Sequence, residues 1–121
     1  MHRIYRIILI LLLLSLCRAA RLNADLRVFP RILTPGSPPG NERIFFEFSD
    51  FDEPKPNLSI FDITGRKITD IAVLNPQAVI TGWRIFWDGT DSEGTVVLPG
   101  VYIYIWNAAG KATVGTVIVA R

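Results

Sequence analysis

Histidine and cysteine are almost absent from this chain of 121 residues, which contains one of each. His2 and Cys17 both lie near the N-terminus, ahead of the part that carries the fold signals. Without these residue types, that part has no Ser-His or Cys-His nucleophile pair, no disulfide and few options for a transition metal. We therefore expect it to be stabilised by apolar burial, and we expect no cofactor and no metal ion.

A strong charge imbalance and phosphate-binding motifs are also missing. The chain has 13 basic and 11 acidic residues, and three of the arginines, Arg3, Arg6 and Arg18, lie in the N-terminal segment. The remaining chain is therefore close to neutral and has no basic stretch suited to nucleic acid. Its glycines occur without GxGxxG or GxxxxGK spacing. We expect no nucleic-acid partner.

Residues 1–20 are typical of a secretory signal peptide. Basic residues at the start precede ten mostly apolar residues, Ile7 to Leu16. This run is short for a bilayer, which needs about 20 residues. We expect cleavage after Ala19 or Ala20 and export to the periplasm, the cell surface or the medium. An uncleaved anchor and lipidation at Cys17 are the alternatives, so any membrane contact is expected through the signal or a lipid anchor.

The rest of the chain consists of short apolar stretches separated by glycine and proline signals. Several stretches have the two-residue period of strands, and none has the 3.6-residue apolar stripe of a helix. Thr64-Gly65 is expected to be a tight hairpin turn. Residues 73–81 fit either a short strand or a crossing loop. The expected strands are 26–29, 44–48, 58–63, 66–71, 83–87, 101–106 and 112–120.

About seven short strands at spacings near ten residues predict an all-β sandwich. A small closed barrel is the alternative, although the long connection after Ile71 favours the sandwich. We divide the chain into a signal peptide (1–20), an N-terminal strand with a Pro/Gly-rich segment (21–43) and the sandwich (44–121). The folded domain is expected to begin near residue 26.

The carboxylates are concentrated in the expected turns. Asp beside Gly, as at Asp88-Gly89, is explained by local acceptance of backbone N–H groups. A cation held by Asp88 and Asp91, or by the acidic loop at 50–53, is the alternative, but both ligand runs are incomplete. A carboxylate pair can also hydrolyse glycosides. We expect solvated turn residues and no enzymatic activity.

Several pieces of the sequence together resemble a known family. They are LSIFDITGRKI (58–68), WDGTDSEGTVVLPGVYIYIW (87–106) and the terminal VGTVIVAR. The combination resembles the Ig-like domain of the flagellar hook-capping protein and the related C-terminal sorting and gliding-motility-associated domains of secreted bacterial proteins. VFPRILTPGSPPGNERIFFEF, from residue 28, is similar to the start of such domains. The resemblance implies an immunoglobulin-like antiparallel β-sandwich that serves as an adaptor, a spacer or a recognition tag for a secretion machine.

One strand suggests a partner surface. If the aromatic side chains of VYIYIW (101–106) face the core, the two-residue period places Val101, Ile103 and Ile105 on the opposite face. An apolar outer stripe of this kind marks a partner site. The alternatives are a strand buried on both faces and a reversed orientation.

These observations favour an exported, non-enzymatic module that binds or positions envelope proteins through its sheet faces or edge strands. The main alternative is a C-terminal-type secretion-sorting domain, including one left from a longer exported protein. A carbohydrate-binding module with exposed tryptophans is less favoured. Trp83 and Trp87 follow the core pattern, which predicts that they are buried.

Overall fold

The computed structural model describes residues 26–36, 40–49, 51–52 and 55–121. The expected signal peptide, the candidate lipidation site Cys17, and Asp50 and Glu53 of the acidic loop lie outside the described residues. The described residues form nine strands in two sheets. No helix long and apolar enough to cross a bilayer occurs in this described part of the chain.

The strands form the two layers of a sandwich. One sheet has the order β1-β3-β7-β6, and the other has the order β2-β9-β8-β4-β5. The first sheet matches the ABED order of an immunoglobulin sandwich, and β9-β8-β4 matches its GFC order. The expected all-β sandwich is therefore confirmed. The strands are β1 (Arg27–Phe29), β2 (Ile32–Leu33), β3 (Ile44–Phe48), β4 (Asn57–Asp62), β5 (Lys67–Ala72), β6 (Gln77–Val79), β7 (Gly82–Trp87), β8 (Gly100–Ala108) and β9 (Lys111–Val119).

Two short strands raise the number above the expected seven, and one of them is not antiparallel. β1 ends before Pro30, which has no N–H to donate, and the chain then crosses to the other sheet. There β2 pairs in parallel with β9, so the second sheet is mixed, whereas the other strand pairs of the described residues are antiparallel. This crossing buries Leu33 completely. The undecided stretch 73–81 contains β6, which pairs with β7 at the sheet edge.

The core lies between the two sheets and is rich in aromatic side chains. The ring of Phe46 packs edge-on against Tyr104, with centroids 5.3 Å apart, and Phe48 lies 4.8 Å from Trp106. Each large apolar side chain contributes about 1.5–3 kcal/mol when it is fully buried. The buried apolar residues are Leu33, Ile44, Phe46, Phe48, Leu58, Ile60, Ile68, Val73, Trp87, Tyr102, Tyr104, Trp106, Val117 and Val119.

The β8–β9 hairpin is longer than the sequence predicts. The connection between the expected strands 101–106 and 112–120 is reduced to a turn at Ala109 and Gly110, because Asn107 pairs with Ala112 as part of the ladder. Ala109 and Gly110 have φ values of 52° and 77°. Positive φ at both central residues is the geometry of a tight type I′ hairpin turn. This turn fixes the register of β8 against β9, and the register determines which side chains share the outer face.

Candidate functional site on the outer face of the five-stranded sheet

The two faces of β8 differ in the way the sequence predicts. The inward face carries three aromatic side chains that are 3–6% exposed, namely Tyr102, Tyr104 and Trp106. Val101, Ile103 and Ile105 consequently point away from the core. Val101 is 41% exposed, and Ile103 and Ile105 are half-buried. The structure therefore brings the three predicted partner-surface residues together on one outer face.

The neighbouring strands extend this stripe into a wider apolar surface. Val101 of β8 is the register partner of Ile118 of β9, and Ile118 is the register partner of Ile32 of β2. Ile105 is the register partner of Val114. Ile32, Val114 and Ile118 are 48%, 62% and 45% exposed. We call the six residues the apolar patch: Ile32, Val101, Ile103, Ile105, Val114 and Ile118.

Sequence reasoning found the β8 half of the apolar patch and missed the other half. The signal was present, because Val114, Thr116 and Ile118 alternate along β9 with the buried Val117 and Val119. What the sequence lacks is the pairing register that places those side chains beside Val101, Ile103 and Ile105. A surface spread over three strands cannot be read from the period of any one of them.

A polar cluster borders the apolar patch on its β4 and β5 side. Ser59 is the register partner of Ile105 and is 8% exposed. Its hydroxyl donates to Oδ1 of Asp70 at 2.6 Å, and Lys67 Nζ donates to Oδ2 at 3.1 Å. The Ser59 hydrogen bond, followed by that of Lys67, lowers the pKa of the Asp70 carboxyl. An apolar centre with a polar rim is the usual anatomy of a protein–protein interface.

The turn carboxylates are engaged with nearby donors. Asp88 Oδ1 accepts the hydroxyl of Thr90 at 2.6 Å, and Asp91 Oδ1 accepts the N–H of Thr95 at 3.0 Å. Asp62 has a lowered pKa, chiefly because the side chain of Thr64 donates to it. No group of three or more His, Cys, Asp and Glu side chains suited to a metal ion occurs in the ranges that the structure describes. These carboxylates have the contacts of structural turns.

The tryptophans do not form an exposed platform for a sugar. Trp87 and Trp106 are 2% and 4% exposed, and Trp87 Nε1 donates to the carbonyl of Thr90 at 2.9 Å. Trp83 is half-buried and lies 5.4 Å from the ring of Phe51. All three tryptophans therefore contribute mainly to the core and its margin.

Comparison with known proteins gives a structural likeness and no family. No protein-family model matches the chain, and no curated protein matches it. The chain is similar in structure to part of PorZ, an essential bacterial surface component of the type-IX secretion system of Porphyromonas gingivalis. The likeness has a TM-score of 0.56 and 20% sequence identity, and it covers 85% of this chain but only 12% of PorZ. At 20% identity the likeness shows a shared fold and no more. The chain matches only one small part of PorZ, which is a much longer protein.

Proposed function

We propose that this chain is an exported, non-enzymatic immunoglobulin-like module that binds or positions other proteins in the cell envelope or outside the cell. The observation that carries the proposal is the apolar patch. Four of its side chains, on β2, β8 and β9, are each 41–62% exposed. A sheet face in contact with water normally carries polar residues. A contiguous apolar face with a polar border is therefore expected to be covered by a partner.

Two likenesses support the proposed location and role. PorZ is a bacterial surface component, which is consistent with an envelope location for a chain that shares the fold of one of its parts. The sequence resemblance to the Ig-like domain of the flagellar hook-capping protein supports an adaptor or spacer role. The near-neutral charge after residue 20 also fits a protein partner better than nucleic acid.

The test compares capture of envelope proteins by matched variants. Ile118→Lys places a charge in the apolar patch, and Ile80→Lys makes the same change at a fully exposed position in the turn between β6 and β7 of the other sheet. Because both side chains are substantially exposed, we expect stability changes within about 0.5 kcal/mol. The tagged protein and its Ile80→Lys variant should recover the same proteins from the host envelope, and Ile118→Lys should lose them. Recovery of the same proteins by Ile118→Lys would contradict the proposal.

Ile105→Lys tests the centre of the same surface. Ile105 is half-buried, so a lysine there should lower thermal stability or change the association state of the purified protein. If neither changes, the face is neither part of the core nor an interface, and the proposed role of the apolar patch is wrong.

A secretion-sorting domain is the second candidate. It is supported by the likeness to part of a secretion-system surface component and by the resemblance to sorting domains. The test fuses residues 26–121 to the C-terminus of a periplasmic reporter in a bacterium that has a type-IX secretion system. Sorting predicts that the reporter reaches the cell surface or the medium, and that it stays in the periplasm of a strain lacking the system. Retention in both strains would exclude this candidate.

A further inference from the structure

The outer face of the four-stranded sheet carries a row of phenylalanines. Phe29, Phe45 and Phe86 are register partners across β1, β3 and β7. Their ring centroids lie 5.8 Å apart for Phe29 and Phe45 and 6.4 Å apart for Phe45 and Phe86. Phe86 is 43% exposed, and the other two rings are half-buried. The row therefore presents aromatic surface to the solvent.

A charged row runs beside the aromatic one. Arg27, Glu47 and Arg84 are register partners on the same three strands. Glu47 Oε2 accepts the Nε and Nη2 groups of Arg84 at 3.0 and 2.6 Å, and Arg27 Nη1 lies 3.5 Å from Oε1. The Glu47 side chain is only 8% exposed, whereas those of Arg84 and Arg27 are 28% and 69% exposed. In this row the arginines are exposed to the solvent to different degrees, and the Glu47 carboxylate is buried.

Stacking on the phenylalanines orders the guanidinium groups. Arg84 lies 4.7 Å from the centroid of Phe45, and Arg43 lies 4.4 Å from that of Phe86. A stacked guanidinium keeps donors at its edge for a further acceptor. Because these arginine side chains are already restrained, ligand binding would cost less of their conformational entropy. We call these residues the arginine–phenylalanine face: Arg27, Phe29, Arg43, Phe45, Glu47, Arg84 and Phe86.

The arginine–phenylalanine face is positively charged in a chain that is otherwise nearly balanced. Three arginines face a single glutamate within it. The next carboxylate along the chain, Glu42, accepts the N–H of Gly40 at 2.8 Å, and backbone donors lower its pKa. Even when Glu42 is counted against Arg43, the face keeps an excess of positive charge. Charge complementarity therefore favours an acidic ligand.

We propose that the arginine–phenylalanine face binds an extended acidic protein segment in which apolar and acidic side chains alternate at every second position. Phe45 and Glu47 are two residues apart on β3, a distance of about 7 Å along a strand. A segment laid along β3 has the same spacing between side chains on one face. It can thus place an apolar group on the phenylalanines and a carboxylate at the arginines. An anionic polysaccharide has the charge but not this side-chain alternation.

The experiment measures peptide binding to the full-length protein by fluorescence anisotropy. The probe is a dye-labelled peptide that repeats Leu-Ser-Glu-Ser, which places Leu and Glu on one face, and the matched probe has Gln for Glu. Charge-assisted hydrogen bonds predict about tenfold tighter binding of the Glu peptide. The preference should shrink when the salt concentration is raised from about 0.05 M to about 0.5 M.

Matched variants locate the binding surface. Arg43→Gln and Arg27→Gln change exposed side chains and should each weaken Glu-peptide binding several-fold with an unchanged thermal midpoint. Lys111→Gln changes an exposed cation at the β8–β9 turn of the other sheet and should leave the affinity unchanged. The proposal would be overturned if the Glu and Gln peptides bound equally well, or if Lys111→Gln weakened Glu-peptide binding as much as the arginine variants do. It would also be overturned if alginate bound more tightly than the Glu peptide. Ile118→Lys should not alter peptide binding, so this proposal and that for the apolar patch fail separately.

Discussion

Replacing Gly115 by alanine should destabilise the protein, although the same change usually stabilises a strand. Gly115 of β9 is the register partner of Tyr104 of β8, whose ring occupies the position that an added Cβ would take. Tyr104 is 3% exposed and packs against Phe46, so it cannot move aside without disturbing the core. The φ angle of Gly115 is not positive, so alanine suits the backbone and would by itself add about 0.4–1 kcal/mol.

The steric term outweighs this gain. Overpacking a closed core costs about 1–3 kcal/mol. We therefore expect Gly115→Ala to lower the free energy of unfolding by about 1–2 kcal/mol, which for a domain of this size lowers Tm by roughly 5–15 °C. The measurements are urea unfolding and calorimetry of the purified protein. In a Tyr104→Leu background, where the ring is absent, the cost of Gly115→Ala should largely disappear.

Two results would refute this reasoning. The first is a Gly115→Ala variant as stable as the wild type or more stable, which would show that β8 and β9 separate easily to admit a methyl group. The second is an equal cost of Gly115→Ala with and without the Tyr104 ring, which would place the strain elsewhere. Either result would remove the argument that Tyr104 requires glycine at position 115.

Three further predictions concern other parts of the fold. Ser59→Ala should raise the pKa of Asp70 in an NMR titration. Because the folded pKa is lowered, Asp70 stabilises the fold at pH values above its unfolded pKa, and the variant should lose less stability as the pH falls through the folded pKa. Gly82→Ala should lower the free energy of unfolding in urea by more than about 1 kcal/mol, since φ of Gly82 is 149° and the alanine Cβ would overlap the backbone carbonyl of Phe48. Arg84→Lys should cost about 1 kcal/mol in a thermal melt, because lysine cannot reproduce the paired donation to Glu47 or the ring stacking.

Each of these predictions has a contradicting outcome. An unchanged Asp70 pKa in Ser59→Ala would mean that Lys67 alone sets it. A Gly82→Ala variant of wild-type stability would show that the start of β7 can shift away from Phe48. An Arg84→Lys variant with an unchanged melting temperature would mean that the contacts to Glu47 add no net stability.

Strands with a clear alternation could be predicted closely from the sequence. The stretch IFFEF coincides with β3, and the expected strands 58–63 and 83–87 agree with β4 and β7 to within one residue at each end. The turn at Thr64-Gly65 is also where the sequence places it, with φ of 88° at Gly65. These elements depend on local preferences: the two-residue period of a strand and the freedom of glycine to adopt positive φ.

The short strands depend on their partners. β2 has two residues and β6 has three, which is too few to show a period. β2 exists because Leu33 is buried and because backbone groups around it bond to β9 and to the residue after it: Ile118 N donates to Arg31 O, and Ala120 N donates to Leu33 O. Such strands are formed by contacts between residues far apart in the sequence, so no local sequence pattern predicts them.

The sequence by itself predicted an all-β sandwich and divided β8 into an aromatic face and an aliphatic face, because the order of side chains along a strand defines its two faces. Only the tertiary structure decided which outward side chains meet. Register and strand order join Val101 to Ile118 in the apolar patch, and they place Arg84 against Glu47, 37 residues away. Both candidate surfaces of this protein cross several strands. The period of one strand defines a line of side chains, whereas a surface requires the long-range pairing that sets those lines side by side.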